Sequence, residues 1–321
     1  MTLSTIYKPI QEDLAKVDER LKSISQATFP SMSELLAYSL QRGGKGIRPA
    51  LTFLAGKFHN YDIAYLLPMA TAIELMHTAT LVHDDAIDKS LIRRGRPTIN
   101  KKWSEEKAIL LGDYLFAKAG ELTATTGNLK VIRLFARTIQ IISSGELNQS
   151  FSAFNIEQTR EQYLERIAKK TASLFILAME SGAILSQAPE NLVKLLKVYG
   201  YNLGIAFQII DDLLDFIGTK EEMGKPVGSD LAQGTLTLPA MLLLERYPEE
   251  NPVKRLFQGE NNQENIELVL GIVRNSSIVQ ECYNLASDYG VKANHNLMLL
   301  PDNSSRQSLQ ELVNYVIDRK R

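Results

Sequence analysis

The sequence predicts an all-α fold, a bundle of many long helices, and three observations carry that prediction. Apolar residues recur at i, i+3/i+4 and i+7 through long segments, the period of a helix with one buried face. Runs that alternate apolar and polar residues between turn signals, as half-buried strands do, are absent. Glycine and proline gather between the periodic segments, in "RGGKGIRP", "RRGRPT" and "GTKEEMGKPVGSDLAQGT".

The elements follow in order. "MSELLAYSLQ" (32–41) is the first helical stretch. "LLPMATAIELMHTATLVH" (66–83) lies in the longest apolar run, Ile63 to Val82, which Pro68, Glu74 and His77 interrupt. That run therefore predicts a core helix rather than a membrane span. "EKAILLGDYLFAKAGELTATT" (106–126) and "VIRLFARTIQIISSGELNQSF" (131–151) continue the pattern. "YLERIAKKTASLFILAMESGAIL" (163–185) and "LVKLLKVYGYNLGIAFQIIDDLLDFI" (192–217) read as two more long helices, and "SLQELVNYVIDRK" (308–320) as the last. The polar stretches 248–266 and 301–307 read as exposed loops. Neither a composition shift nor a flexible linker divides the chain, so one domain over residues 1–321 is expected.

Composition narrows the function. A hydrophobic fraction of 45% over 321 residues suits a protein with a large core. A formal net charge of −1 speaks against non-specific nucleic-acid binding, which needs a basic face. Cys282 is the single cysteine, which permits no internal disulfide and suits a reducing compartment. The opening "MTLSTIYKPIQEDL" lacks the basic and apolar regions of a signal peptide. A cytoplasmic protein without a transmembrane segment is expected.

Two aspartate clusters stand out. In "LVHDDAIDKSLIRRGRPT" (81–98), Asp84, Asp85 and Asp88 stand at i, i+1 and i+4 after an apolar helix, with Arg93 and Arg94 close behind. "FQIIDDLLDF" (207–216) repeats the spacing with Asp211, Asp212 and Asp215. In a helix, i and i+4 share a face about 6 Å apart along the axis, so each motif aims two carboxylates one way. Half-buried like charges raise one another's pKa unless cations compensate. Carboxylates so spaced suit Mg²⁺, which keeps waters and bridges carboxylates to substrate phosphates. A single such cluster is as well explained by a solvated acidic helix end. Two copies, each followed by a Gly-containing basic loop, point to a site for a metal-bound phosphate.

These motifs, with "GGKGIRP" upstream and "RRGRPT", "KKTA", "FQ" and "GKPVGSD" downstream, resemble the trans-isoprenyl diphosphate synthases, the long-chain polyprenyl members above all. The resemblance runs from about Gly43 to Pro239. It implies helices around a deep central cavity, with the aspartate motifs facing each other across its mouth. It also implies ionisation of an allylic diphosphate (geranyl, farnesyl or geranylgeranyl), attack by the double bond of isopentenyl diphosphate, and loss of a proton to the departing pyrophosphate. Metal ions and fixed cationic donors stabilise such a leaving group. By resemblance, Asp84, Asp88 and Asp211 would be leading Mg²⁺ ligands, with Asp85, Asp212 and Asp215 close by or behind them. Arg93, Lys170 and Lys225 would hold the allylic diphosphate. Lys45, Arg48, His77 and Arg94 would hold the diphosphate of isopentenyl diphosphate, a task that suits arginine's planar fork of donors. Thr171 and Gln208 would set oxygen dipoles beside the developing cation. Family members are commonly dimers, so a homodimer, or a heteromer with a small regulatory subunit, is expected.

The chain departs from the pattern in two places. Short-chain members carry a lysine where "QGTLT" has Thr235, and many relatives have "GQxxD" where this chain reads "GELNQ", with Glu146 and Gln149. Rival readings explain less. A His-Asp metal phosphohydrolase could use His83–Asp84 with His59 and His77, yet leaves the second aspartate motif idle. A non-catalytic subunit would be free to lose its aspartates, and all six are present. A terpene cyclase would mix Asn, Ser and Glu in the second motif.

Product length is expected to follow from the helix bearing the first motif. Ala79, five residues before Asp84, is small where short-chain members carry a bulky aromatic. Met76 and Ile73 continue its face, and neither is a rigid plug. A product longer than C20, in the range of about C30–C35 used for quinone side chains, is therefore expected. A geranylgeranyl or farnesyl diphosphate synthase is the alternative.

Overall fold

Helices form where the apolar period runs without a break, and side-chain caps fix where several of them begin. The computed structural model describes residues 2–26, 29–41, 44–219, 226–260 and 262–319. Its helices are α1 (Leu3–Ile6), α2 (Gln11–Ile24), α3 (Pro30–Leu40), α4 (Ile47–Gly56), α5 (Ile63–Ile87), α6 (Ile99–Lys102), α7 (Glu105–Ala124) and α8 (Leu129–Phe151). They continue as α9 (Arg160–Ile167), a π-helical turn (Ala168–Ala172), α10 (Ser173–Leu185), α11 (Glu190–Ile217), α12 (Ser229–Ala232) and α13 (Leu238–Arg246). The last four are α14 (Pro252–Phe257), α15 (Asn262–Arg274), α16 (Ile278–Leu297) and α17 (Ser304–Asp318). Asp62, Ser104 and Asn128 cap α5, α7 and α8 by accepting backbone N–H groups, and Thr159 with Gln162 closes a capping box on α9.

Two apolar clusters build the interior. The first joins α4, α5, α7 and α10 with the first half of α11; the second joins the latter half of α11 with α13, α15 and α16. The long α11 is the shared wall. Helix α5 packs against α2, α4, α7 and α10, and accordingly it is apolar on nearly every side rather than striped. Pro68 lies within α5 and is buried; it leaves one carbonyl of the preceding turn without its usual N–H.

The structure departs from the sequence expectation in three places. A hairpin, β1 (Ile92–Arg93) paired antiparallel with β2 (Arg96–Pro97), occupies "RRGRPT". Its two turn residues, Arg94 and Gly95, have φ of 51° and 73°. This is the left-handed pair that a two-residue hairpin requires, and Arg94 accepts a conformation glycine takes more readily. Next, 163–185 is not one regular helix, because the π turn separates α9 from α10. Finally, the polar stretches hold helix: Asn251 caps α14 inside 248–266, and Asn303 caps α17 inside 301–307.

A close approach fixes the π turn on α11. A Cβ on Gly204 would lie 2.6 Å from the Cα of Ala172, so only a glycine lets the two backbones meet there.

Candidate active site

The first aspartate motif closes α5, with Asp88 as its last, capping residue. Asp85 is 5% exposed and accepts a 2.7 Å hydrogen bond from Arg93 Nε. Burial raises its carboxyl above the usual range, and the Arg93 guanidinium opposes that rise. Burial likewise raises Asp88, against the pull of Lys170. Asp84 turns toward Lys170, whose Nζ is 4.0 Å from Asp84 Oδ2.

The second motif lies near the end of α11. Asp212 is buried and accepts two hydrogen bonds, from Gln208 Nε2 at 2.6 Å and the Tyr163 hydroxyl at 2.8 Å. Burial, helped by nearby Asp230, still pushes its carboxyl up to about 7. Asp215, also buried, accepts from Ser229 Oγ and the Asp230 amide. Asp211 is the most open of the three and pairs with Arg319, just past α17. Arg319 also donates to the Phe207 carbonyl at 2.8 Å and lies over the Phe207 ring.

The π turn spans the gap between the motifs. Lys170 points toward the first, with Nζ 2.7 Å from Glu146 Oε1 of α8. Burial draws the Lys170 ammonium down, but Asp84 and Glu146 outweigh it and leave its pKa raised, so it stays charged. Thr171, the next residue, donates to Gln208 Oε1 at 2.5 Å, and Gln208 continues to Asp212. Lys169 instead pairs with Glu165 at 2.6 Å.

The basic residues gather on the other side of the cleft. Arg48 lies over the Phe175 ring, and burial lowers its pKa to about 10 against the pull of Glu74 and Asp211. Its Nε is buried without a partner among the described residues, so it retains a donor to offer. His77 is held well below its usual range by burial and then by Arg48, Arg94 and Arg93, so its ring is neutral at pH 7. Lys45 stands 5.3 Å from the centre of the Tyr315 ring. A cavity of about 240 Å³ opens beside the first motif, lined by Gly44, His77, Asp85, Arg93 and Arg94 among others. Asp211 acts electrostatically on both Arg48 and Arg94, and Asp230 on Asp88, so both motifs address one cleft.

The sequence-derived set thus converges, with two qualifications. Lys225 and Gly43 lie outside the described residues. Ala79, Met76 and Ile73 have no exposed surface, and α5 lines the cavity instead with Glu74, His77, Thr78, Leu81, Val82 and Asp85. The face containing Ala79 is closed to solvent along these three residues. Sequence reasoning passed over Tyr163 and Arg319. Tyr163 bonds Asp212 from 49 residues away, and no local pattern marks that partner. Arg319 follows a helix whose own pattern gave no sign of its partner.

Among the described residues, no three His, Cys, Asp or Glu side chains converge to enclose a metal ion by themselves. Asp85, Asp212 and Asp215 accept from protein donors and Asp211 is paired with Arg319, which leaves Asp84 and Asp88 as the more available carboxylates. An incomplete set of hard oxygen donors suits a cation that is also held by water and phosphate oxygens. The histidines do not converge either: His59 contacts the Ser186 carbonyl at 3.1 Å and His83 the Ile109 carbonyl at 2.9 Å. The phosphohydrolase reading is not supported.

An all-α wall around a cleft with acidic motifs opposite buried arginines defines the class of isoprenyl diphosphate synthases, and solved structures agree. Heptaprenyl diphosphate synthase from Staphylococcus aureus superposes with a TM-score of 0.93 at 36% identity, covering 97% of this chain and 99% of that one. A polyprenyl synthase from Caulobacter crescentus, complexed with calcium and isoprenyl diphosphate, gives 0.95 at 32% identity and covers 100% and 98%. In sequence, heptaprenyl diphosphate synthase component 2 of Geobacillus stearothermophilus is 39% identical over 316 residues, 98% of each chain. Residues 29–273 match the Polyprenyl synthetase family, and the chain belongs to it. It is a prenyltransferase of the polyprenyl diphosphate synthase type. No helix among the described residues is long and apolar enough to cross a membrane.

Proposed function

We propose that the chain adds isopentenyl diphosphate units, in the trans configuration, to an allylic diphosphate, and that its product is about C30–C35. The observation that supports the reading is that the π turn links Asp84 to Asp212 through Lys170, Thr171 and Gln208, while Asp211 acts on both Arg48 and Arg94. Lys170 and Arg93 hold the allylic diphosphate, with Lys225, which follows the second motif in sequence. Asp84, Asp88 and Asp211 would hold Mg²⁺, which would supply positive charge to the diphosphate leaving group. The oxygens of Thr171 and Gln208 face the carbon that becomes cationic. Arg48, Arg94 and Lys45 bind the diphosphate of isopentenyl diphosphate, and His77, neutral, donates one hydrogen bond to it without adding charge. The departing pyrophosphate takes the proton that the condensation releases.

The growing chain follows α5 past Ala79, Met76 and Ile73. Because this seam is closed, elongation needs side chains to move, and Met69 and Met76 are suited to that. The same closure favours, as a second reading, a product that stops at C15–C20. The assembly is read as a homodimer or a heteromer with a small second subunit. The Geobacillus relative's designation as component 2 supports the heteromer, and Ile109 and Leu110, exposed on α7, offer a face for either. The site of action is taken to be the cytoplasm.

The test is an assay of the purified chain with each allylic primer and radiolabelled isopentenyl diphosphate, followed by chromatography of the products. Asp84→Ala and Asp211→Ala should each lower turnover by orders of magnitude with helical content intact. Near-normal rates in both variants would exclude these metal roles.

A further inference from the structure

Glu146 is the residue that the sequence marked as a departure and to which no role has been given. It stands on α8, its side chain only 22% exposed, with Oε1 2.7 Å from Lys170 Nζ. The same ammonium lies 4.0 Å from Asp84 Oδ2, too far for a hydrogen bond. Lys170 is therefore suspended between two anions and bonded to one of them. Neighbouring Lys169 does not compete for Glu146, because it pairs with Glu165.

A lysine ammonium is a compact charge on a flexible stem. Without Glu146, little holds it away from Asp84, and a direct ion pair there would occupy the oxygens that a divalent cation needs. We propose that Glu146 is a positioning residue: it holds Lys170 off Asp84 and so keeps the first aspartate motif available to a divalent cation. The inference rests on the metal role given to Asp84 above. It accounts for a carboxylate placed beside two others, Asp84 and Asp88, where one more negative charge would otherwise only add repulsion.

The experiment uses the full chain without substrate and Mn²⁺ as the probe, with free Mn²⁺ counted by electron paramagnetic resonance. Closing the Lys170–Asp84 distance from 4.0 Å to ion-pair contact at an effective dielectric near 20 predicts that Glu146→Ala weakens Mn²⁺ binding about tenfold. In a Lys170→Ala background the same substitution should change affinity by less than about twofold, because no cation remains to be held back. Glu146→Gln, which retains an oxygen acceptor and the shape of the side chain, should fall between wild type and Glu146→Ala; it carries the comparison in both backgrounds if the alanine variant does not fold. Unchanged affinity in the single variants overturns the proposal. So does a tenfold loss that persists without Lys170, since Glu146 would then act on the cation directly. Prenyl transfer by the wild type is measured alongside: a chain that shows the expected coupling but makes no prenyl product refutes the proposed function and leaves the role of Glu146 standing.

Discussion

Replacing Gly204 with alanine tests whether the approach of the π turn to α11 sets the geometry of the cleft. The added methyl would meet the Ala172 Cα at 2.6 Å, its Cβ at 2.7 Å and the Phe175 Cβ at 3.3 Å. Carbon atoms prefer about 3.5–4.0 Å, so one backbone must retreat by about 1 Å. Overpacking of this kind costs about 1–3 kcal/mol, which in a chain of this size lowers the melting temperature by a few degrees. The functional loss should be larger than the thermal one. Thr171 precedes Ala172, and its partner Gln208 lies one helical turn beyond Gly204, so the displacement falls on their 2.5 Å bond and on Lys170. A misplacement of about 1 Å can cost about a hundredfold in rate. Circular dichroism melting and steady-state prenyl transfer report the two effects. Gly271→Ala on α15 is the control, because a Cβ there meets nothing within 4 Å and an alanine should gain about 0.5–1 kcal/mol. The reasoning fails if Gly204→Ala melts and turns over like wild type, or if Gly271→Ala loses as much.

Other substitutions address separate parts of the cleft. Ala79→Phe should shorten the product to C15–C20 while prenyl transfer continues; since Ala79 has no exposed surface, it should also cost about 1–3 kcal/mol in stability, and chromatography that shows an unchanged product rules out α5 as the ruler. Arg94→Ala should raise the apparent KM for isopentenyl diphosphate and spare that for the allylic substrate, whereas an effect confined to the allylic substrate would exchange the two diphosphate sites. Asp212 retains its proton to about pH 7 in the fold, but titrates near 3.8 when exposed. In chelator, its contribution is therefore full below about pH 4 and is lost as pH rises through 7, by a few kcal/mol at most. Melting temperature should fall over that window in the wild type and less steeply in Asp212→Asn; parallel profiles would place the dependence elsewhere.

Much of this was legible in the sequence, for identifiable reasons. The helical period and the two aspartate spacings are local properties, so α5, α7, α8 and α11 and both acidic motifs could be read directly. The convergence of Arg48, His77 and Arg94 depends on how α4, α5 and the hairpin pack. It was reached through family resemblance, because no local pattern encodes it. The hairpin itself was missed because Arg94, not the customary Asn or Asp, precedes Gly95 at the turn. The partition of the aspartates into tied and available groups was also hidden. Asp212 depends on Tyr163, and Asp211 on Arg319, which lies 108 residues away. The spacing of a motif shows which carboxylates share a face, but not which of them a distant donor has already claimed.

The π turn has a consequence for how this chain tolerates change in length. Tyr163 and Thr171 both bond to side chains of α11, yet eight residues of regular helix would set them about 80° apart around the axis. The wide turn takes up that phase difference, like a leap day that keeps a calendar in step with its year. Removing one residue between 168 and 172 would give a more regular helix and a worse enzyme. Tyr163 and Thr171, then seven residues apart, would still share a face, but the residues within the turn would be reset, and with them the placement of Lys170 between Glu146 and Asp84. In this stretch the residue count itself carries information that no substitution can restore.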